Sequence, residues 1–284
     1  MGGWESHHRN RGGMACANVN GVTLAYEVSG GGHPVAFLHG HTLDHRMWDP
    51  IASYLSPSYT VICVDLRGHG RSAAPDTGYA MADYATDVLG LIDRLGYRRV
   101  SVVGHSLGGI IAIELALTRP DHLTTMTLVG TGLGGFQHPE EARAMTERKK
   151  ALVRSEGVSE KFVRTAIYGT LYEATPDYAG KQAKLREMMA GWPGAQWKDA
   201  VTYPPPAKPQ RDRLSEIKAP TLVAVGEHDR ADFHAIANEL AKGITVVRKA
   251  IVPDAGHLAP LENPEAFGHI LLDFLNGAVG KALA

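Results

Sequence analysis

The hydrophobic positions of this chain repeat with two periods that follow one another along the sequence. Alternating apolar residues at 22–28 follow the hairpin dipeptide Asn20-Gly21, and they predict two antiparallel strands at the start of the domain. Beyond this hairpin, short apolar runs alternate with segments of helical spacing. The runs predict strands at 35–38, 60–64, 100–103, 123–129, 221–225 and 245–252, and the helical spacings predict helices at 44–55, 81–95, 107–118, 233–241 and 262–275.

Strands that alternate with helices predict an α/β fold with a largely parallel sheet and helices on both of its faces. The alternation stops between residues 132 and 211, where helical patterns rich in Lys, Arg, Glu and Met replace the strands. We therefore predict a core formed by residues 14–131 and 212–284, with a helical cap inserted at 132–211. Residues 1–13 show no periodicity and are predicted to be a disordered leader.

Composition and charge exclude several classes of protein. The chain has 284 residues, of which 44% are hydrophobic and 21% charged, as in ordinary soluble proteins. Its 29 basic and 30 acidic residues give a formal net charge of −1, which does not favour binding to nucleic acid or to a membrane surface. No apolar stretch reaches the roughly 18 residues that a bilayer requires, and none resembles a signal peptide. We expect a cytoplasmic protein, either a monomer or a homodimer.

The two cysteines predict neither a disulfide framework nor a metal site. Cys16 and Cys63 have no metal-ligand spacing, and Cys63 lies within an apolar run where a buried free thiol is expected. We expect no metal and no cofactor.

A serine lies on a glycine-rich turn between a predicted strand and a predicted helix. The turn is Gly104-His105-Ser106-Leu107-Gly108-Gly109, and its glycines permit a sharp bend and a close approach of neighbouring backbone. Ser106 is the candidate nucleophile. Because the chain contains 32 glycines, the pattern alone is weak, and a serine that merely caps the helix is the alternative.

A serine hydroxyl needs a base to become nucleophilic, and the base needs a partner that fixes its tautomer. His257 follows the predicted strand at 245–252, and Asp229 follows the predicted strand at 221–225, so both belong to the same carboxyl edge of the sheet as Ser106. Glu227 is a rival to Asp229 as the acid. The structural alternatives are a loop histidine without a catalytic role and an aspartate that caps a turn.

The tetrahedral intermediate of acyl transfer needs backbone N–H donors for its oxyanion. One predicted donor is the amide of Leu107, at the start of a helix whose dipole acts in the same direction. The other is the amide of His41, in the glycine-containing loop after the strand at 35–38. Imidazole chemistry at His39, His41 or His45 is the alternative.

From residue 16 onward the chain resembles an α/β-hydrolase fold enzyme. Four blocks carry the resemblance: His39-Gly40, the segment 65–72 (DLRGHGRS), the turn at Ser106, and Gly256-His257 followed by Glu262-Asn263-Pro264. The order Ser106, Asp229, His257 is also the family's order of nucleophile, acid and histidine. The resemblance implies a mostly parallel eight-stranded sheet and a structural role for Arg67–Gly70. It also implies a cap at 132–211 that sets substrate choice.

Within the superfamily, a serine at 106 argues against haloalkane dehalogenases and epoxide hydrolases, which use an aspartate. The chain is most similar to the group of esterases, 3-oxoadipate enol-lactonases and haloperoxidase-like enzymes. We expect a serine hydrolase that cleaves a carboxylic ester or lactone of a small apolar substrate through an acyl-enzyme. Its predicted pocket contains His105, Trp192, Trp197 and Leu258, although the tryptophans could instead hold cap helices onto the core.

Four alternatives keep this fold but change the activity. A carbon–carbon bond hydrolase of meta-cleavage products is one, and a cofactor-free haloperoxidase or perhydrolase is another. The non-enzymatic alternative is a small-molecule receptor that binds its ligand in the capped pocket. A transferase, in which another nucleophile replaces water, would retain the same triad.

Overall fold

A computed structural model describes residues 13–167, 170–198 and 206–283. Residues 1–12 of the predicted leader lie outside these ranges. So do residues 168–169 and 199–205 of the predicted cap.

The predicted α/β architecture is confirmed. In the described ranges the strands are β1 (Ala15–Val19), β2 (Val22–Gly30), β3 (His33–Leu38), β4 (Tyr59–Val64), β5 (Val100–His105), β6 (Leu123–Val129), β7 (Thr221–Gly226) and β8 (Val247–Val252). They form an eight-stranded sheet in the order β1-β2-β4-β3-β5-β6-β7-β8. β2 pairs antiparallel with β1 and β4, and the remaining pairs are parallel.

Helices connect the strands and cover the sheet. They are α1 (Asp49–Leu55), α2 (Met81–Arg94), α3 (Leu107–Thr118), α4 (Glu140–Glu156), α5 (Glu160–Ile167), α6 (Tyr178–Gly191), α7 (Ala195–Lys198), α8 (Ala231–Gly243), α9 (Ala259–Glu262) and α10 (Pro264–Leu283). None of the helices within the described ranges combines the length and the apolarity that crossing a bilayer requires.

The period of two along each strand divides the core between the two faces of the sheet. On β3, Ala36 and Leu38 belong to one buried cluster, whereas Val35 and Phe37 belong to another. Helices α2, α3 and α8 pack into the first cluster, and α1 and α10 pack into the second. The central strands are buried on both faces, which explains their continuous apolar runs.

Helices α4 to α7 lie between β6 and β7 in the sequence, within the predicted cap. Val153 of α4, Phe162 of α5 and Met188 of α6 are buried in the same apolar cluster as α1 and α10. The inserted helices therefore share a packed interface with the core. The boundaries at 132 and 211 remain a prediction.

The C-terminal helical segment differs from the single helix predicted at 262–275. The structure has two helices, α9 and α10, separated by Asn263, whose backbone is not helical (φ −133°, ψ 74°). Pro264 explains the break, because proline disfavours a helical conformation at the preceding residue and begins a new helix well.

Candidate active site

Ser106 occupies the turn between β5 and α3 in a conformation that is rare for a residue with a side chain. Its backbone has φ +49° and ψ −108°, and its side chain makes no capping hydrogen bond to α3. Holding such a conformation costs about 1–3 kcal/mol, and residues of this kind cluster at functional sites. The helix-capping alternative for this serine therefore has no support in the structure.

The glycines beside Ser106 are required by close backbone contacts. A methyl group on Gly108 would collide with the carbonyl of Leu38 at the end of β3. The same approach allows the N–H of Gly108 to donate a hydrogen bond to the carbonyl of His39, at 3.1 Å. The start of α3 is thereby fixed against the neighbouring strand, and the turn that carries Ser106 is held rigidly.

His257 and Asp229 come together across 28 residues of sequence, in the loops after β8 and β7. The Nδ1 of His257 lies 3.1 Å from Oδ2 of Asp229. The other carboxylate oxygen, Oδ1, accepts a hydrogen bond of 2.8 Å from the N–H of Arg230. The Asp229 side chain is fully buried, whereas that of His257 is 15% exposed. The carboxylate therefore fixes the imidazole with Nδ1 as the donor.

Glu227, the rival acid, does not reach His257. Its side chain is 52% exposed, and Oε2 accepts a hydrogen bond of 3.2 Å from the N–H of Asp254. The structure thus places Asp229, and not Glu227, beside the histidine.

Ser106 and His257 both line one cavity of about 640 Å³. No hydrogen bond joins Oγ of Ser106 to Nε2 of His257 among the hydrogen bonds of the described residues. Contacts of this kind are commonly loose before a substrate binds and tighten during the reaction. The two groups face the same space, where a substrate carbonyl can meet the serine hydroxyl.

His105 has a role that its position before Ser106 does not reveal. Its ring is 1% exposed, and Nε2–H donates a hydrogen bond of 2.9 Å to the backbone carbonyl of His257. Burial, with a smaller contribution from the nearby imidazole of His257, holds the pKa of His105 well below its usual range. A neutral His105 therefore anchors the loop that carries His257. No local sequence signal points to this contact between residues 152 positions apart.

The two predicted oxyanion donors are backbone amides without an acceptor in the described ranges. Neither the N–H of His41 nor that of Leu107 donates a backbone hydrogen bond within the part of the chain that the structure describes. Buried His39 shapes the first loop, because its Nε2 accepts from the N–H of Leu66 at 3.0 Å and its Nδ1 donates to the carbonyl of Gly40 at 2.8 Å. Both residues line the same cavity as Ser106, so the oxyanion site at these two amides stays a prediction that the structure allows.

The ring of His41 packs beneath the inserted helices. It stacks on Trp197 with ring centroids 4.4 Å apart, and its Nδ1 accepts a hydrogen bond from Nε2 of Gln196 at 3.0 Å. Burial, and then the charge of Lys149, lower the pKa of His41 to about 3. The ring is therefore neutral near pH 7, and a role as a general base is not supported.

Most of the residues predicted to line the pocket do so, but Trp192 does not. Trp197, Leu258 and His105 are at the cavity wall. Trp192 is 1% exposed and packs behind that wall against Trp197 and Phe162. Its indole also packs edge-on against His41 of the core, with ring centroids 5.1 Å apart, so it holds the inserted helices onto the core, which is the second of the two roles considered for the tryptophans.

The cavity wall has an apolar part and a basic part. Its apolar residues include Leu43, Ile110, Ala142, Ala166, Met189 and Phe233, and its basic residues are Arg143, Lys149 and Arg230, with the acid Glu147 beside them. The basic part is not expected for a purely apolar substrate.

Three buried residues could together bind a metal ion by their chemistry: Asp44, His45 and Asp65. Their hydrogen bonds instead stabilise the fold. Oδ1 of Asp65 accepts hydrogen bonds from the N–H and Nδ1 of His45, at 2.8 and 2.7 Å, and Oδ2 accepts from the N–H of Arg71 at 2.8 Å. Burial lowers the pKa of His45, but the hydrogen bond and charge of Asp65 outweigh it and raise the pKa overall. Oδ1 of Asp65 therefore already accepts two hydrogen bonds, and Nδ1 of His45 acts as a donor to it and not as a metal ligand.

This chain is similar in sequence and in fold to known proteins over most of its length. The family model described as alpha/beta hydrolase fold matches residues 33–264. A relative from Variovorax paradoxus named "Putative carbamate hydrolase RutD" is 33% identical over 261 residues, which cover 89% of this chain and 96% of the relative. An esterase from Thermogutta terrifontis superposes with a TM-score of 0.83 at 28% identity, covering 94% of this chain and 99% of the esterase. The enol-lactonase from Burkholderia xenovorans has a TM-score of 0.80 at 29% identity and covers 92% and 100%.

Proposed function

The chain belongs to the α/β-hydrolase family, and from this premise we propose that it is a serine hydrolase that cleaves a carboxylic ester or lactone through an acyl-enzyme intermediate. The observation that carries the proposal is the 3.1 Å contact between buried Asp229 and Nδ1 of His257, a histidine that lines the same cavity as the strained Ser106. These are the three groups that acyl transfer to a serine requires.

In the proposed reaction, His257 acts as the base. Because Nδ1–H is bound to Asp229, Nε2 keeps a lone pair, which accepts the Ser106 proton as Oγ attacks the substrate carbonyl. The negative charge of Asp229 stabilises the imidazolium that forms. The imidazolium then protonates the leaving alkoxide, and an acyl group stays on the serine.

The amides of His41 and Leu107 would hold the oxyanion of the tetrahedral intermediate. Each donor of this kind contributes about 2.7–4 kcal/mol to transition-state stabilisation in acyl transfer. The N-terminus of α3 adds a positive dipole end at Leu107. Deacylation would repeat the same steps, with a water molecule that gives its proton to His257 and releases the acid.

A carbamate is the second candidate substrate class. The relative named as a carbamate hydrolase is 33% identical and aligns with 89% of this chain. A carbamate carbonyl can be attacked by the same serine and held by the same amides, so the choice between carbamate and ester depends on the wall of the cavity.

A panel of p-nitrophenyl esters, simple lactones and a p-nitrophenyl carbamate tests the proposal. We expect turnover by the unmodified chain and a loss of about 10⁴-fold or more in kcat for Ser106→Ala. Ser155→Ala is the matched control, because this serine is exposed on α4 and donates only to carbonyls of its own helix. Activity that survives Ser106→Ala contradicts the proposed nucleophile, and binding without turnover in the unmodified chain favours a receptor.

A further inference from the structure

Helix α4 turns one face toward the candidate active site. Ala142, Thr146 and Lys149 lie at the spacing of one helix face and line the cavity, and Val153, one turn further on, is fully buried. Lys149 therefore belongs to the inward stripe of α4. Lys150 is not among the residues at the cavity wall, and its Nζ donates to Oε1 of Glu147 at 2.8 Å.

Lys149 has no hydrogen-bond acceptor and no ion-pair partner among the described residues. Glu147 is committed to Lys150, and its side chain is 65% exposed. Asp232 is also committed, because it pairs with Arg230 at 2.7 Å and with His138 at 2.9 Å. The acids around this part of the cavity are thus used by other groups.

The surroundings of Lys149 disfavour a lone cation. Burial, with a further contribution from the charge of Arg230, lowers the pKa of Lys149 to about 8. His41 also faces this charge, but its own pKa is about 3, so it stays neutral near pH 7. Near pH 7 the cavity holds a half-buried ammonium group that an anion would stabilise.

From this arrangement we propose that the substrate carries a carboxylate away from its scissile carbonyl, and that Lys149 binds this carboxylate. The inference rests on the proposed function, because it names the substrate class of the same site. A compact ammonium group on a flexible stem suits a single carboxylate. The apolar wall would contact the carbon skeleton between the carboxylate and the scissile bond.

The test uses pairs of substrates that differ in charge but not in shape. On the acyl side, the 4-nitrophenyl half-ester of adipic acid is compared with the same ester whose free carboxylate is replaced by an amide. The adipate chain is long enough that its carboxylate does not rapidly attack its own ester and release 4-nitrophenol without the enzyme. On the alcohol side, 4-acetoxybenzoate is compared with 4-acetoxybenzamide. A charge-assisted hydrogen bond predicts that kcat/KM favours the acid by about tenfold to a hundredfold in at least one pair.

Three variants separate the charge of Lys149 from its packing. Lys149→Gln should lower kcat/KM for the acid by about tenfold to a hundredfold more than for the neutral amide, so that the ratio of the two falls to about 1, and Lys149→Arg should retain most of the ratio. Lys161→Gln is the matched control, since Lys161 is exposed, pairs with Glu156 and is not at the cavity wall, and it should behave like the unmodified chain.

The outcomes distinguish this proposal from the proposed function. Equal rates for acid and amide in both pairs overturn the carboxylate proposal alone, provided that hydrolysis still requires Ser106. A preference that persists in Lys149→Gln overturns it as well. Hydrolysis that survives Ser106→Ala refutes the serine mechanism, and with it any substrate assignment at this site.

Discussion

Replacing Asp229 with asparagine should remove most of the activity while keeping the shape of the site. In the structure, Oδ1 of Asp229 accepts from the N–H of Arg230 at 2.8 Å, and Oδ2 faces Nδ1 of His257 at 3.1 Å. An asparagine must keep its oxygen toward the Arg230 amide, so its NH₂ group would face the histidine. The imidazole would then have to accept at Nδ1 and carry its proton on Nε2.

In that tautomer, Nε2 cannot take the proton of Ser106. The corresponding substitution in the serine protease triad lowers kcat by about 10⁴-fold while the geometry stays intact. We expect a similar loss here with any p-nitrophenyl ester that the unmodified chain hydrolyses, and no loss of folded protein by circular dichroism. The side chains are isosteric, so packing around the buried position is preserved.

Glu227→Gln is the matched control for this experiment. The carboxylate is exposed and contacts the N–H of Asp254 instead of His257, so we expect a change in kcat of less than about twofold. The reasoning is refuted if Asp229→Asn retains more than about a tenth of the activity, or if Glu227→Gln loses as much as Asp229→Asn.

Three further predictions concern charge, thiol reactivity and stability. Burial lowers the pKa of Lys149 to about 8, so its ammonium group loses its proton as the pH rises. The ratio of kcat/KM for the acid to that for the amide should therefore fall between about pH 7 and pH 9, and a ratio that does not change with pH would contradict this. Cys16 is exposed and should react with a disulfide reagent in native protein, whereas buried Cys63, whose pKa is raised by burial, should react only in denaturant. Arg67→Met leaves the buried carboxylate of Asp87 without the guanidinium group that lies 2.6 Å from it. The free energy of unfolding, measured by urea titration, should fall by about 3–5 kcal/mol, and a loss under about 1 kcal/mol would contradict this.

The fold could be predicted from the sequence because its information is local and periodic. Fully apolar runs identify strands that are buried on both faces, and their alternation with helices requires parallel connections. The same rule places the loops after β5, β7 and β8 on one edge, so Ser106, Asp229 and His257 could be expected to meet. The boundary of the last helix was wrong because a proline at 264 outweighs a continuous apolar pattern.

Three features of the site depend on contacts that no local pattern contains. Trp192 is a large aromatic residue of the kind that often lines pockets, but the packing of the inserted helices places it behind the cavity wall. Lys149 lies in a basic run that resembles a solvated surface, and only the orientation of α4 turns it toward the cavity. His105 contacts a carbonyl 152 residues away. Such pairings are set by tertiary packing, which periodicity does not specify.

The most direct test of the serine mechanism is covalent labelling with a fluorophosphonate, followed by intact-mass measurement and peptide mapping. These reagents phosphonylate a serine only when a base and an oxyanion site activate it. We expect one adduct per chain on the peptide that contains Ser106, with esterase activity lost in proportion to labelling and no adduct in Ser106→Ala. An adduct on another residue, or activity that remains after complete labelling, would contradict the assignment of Ser106 as the nucleophile.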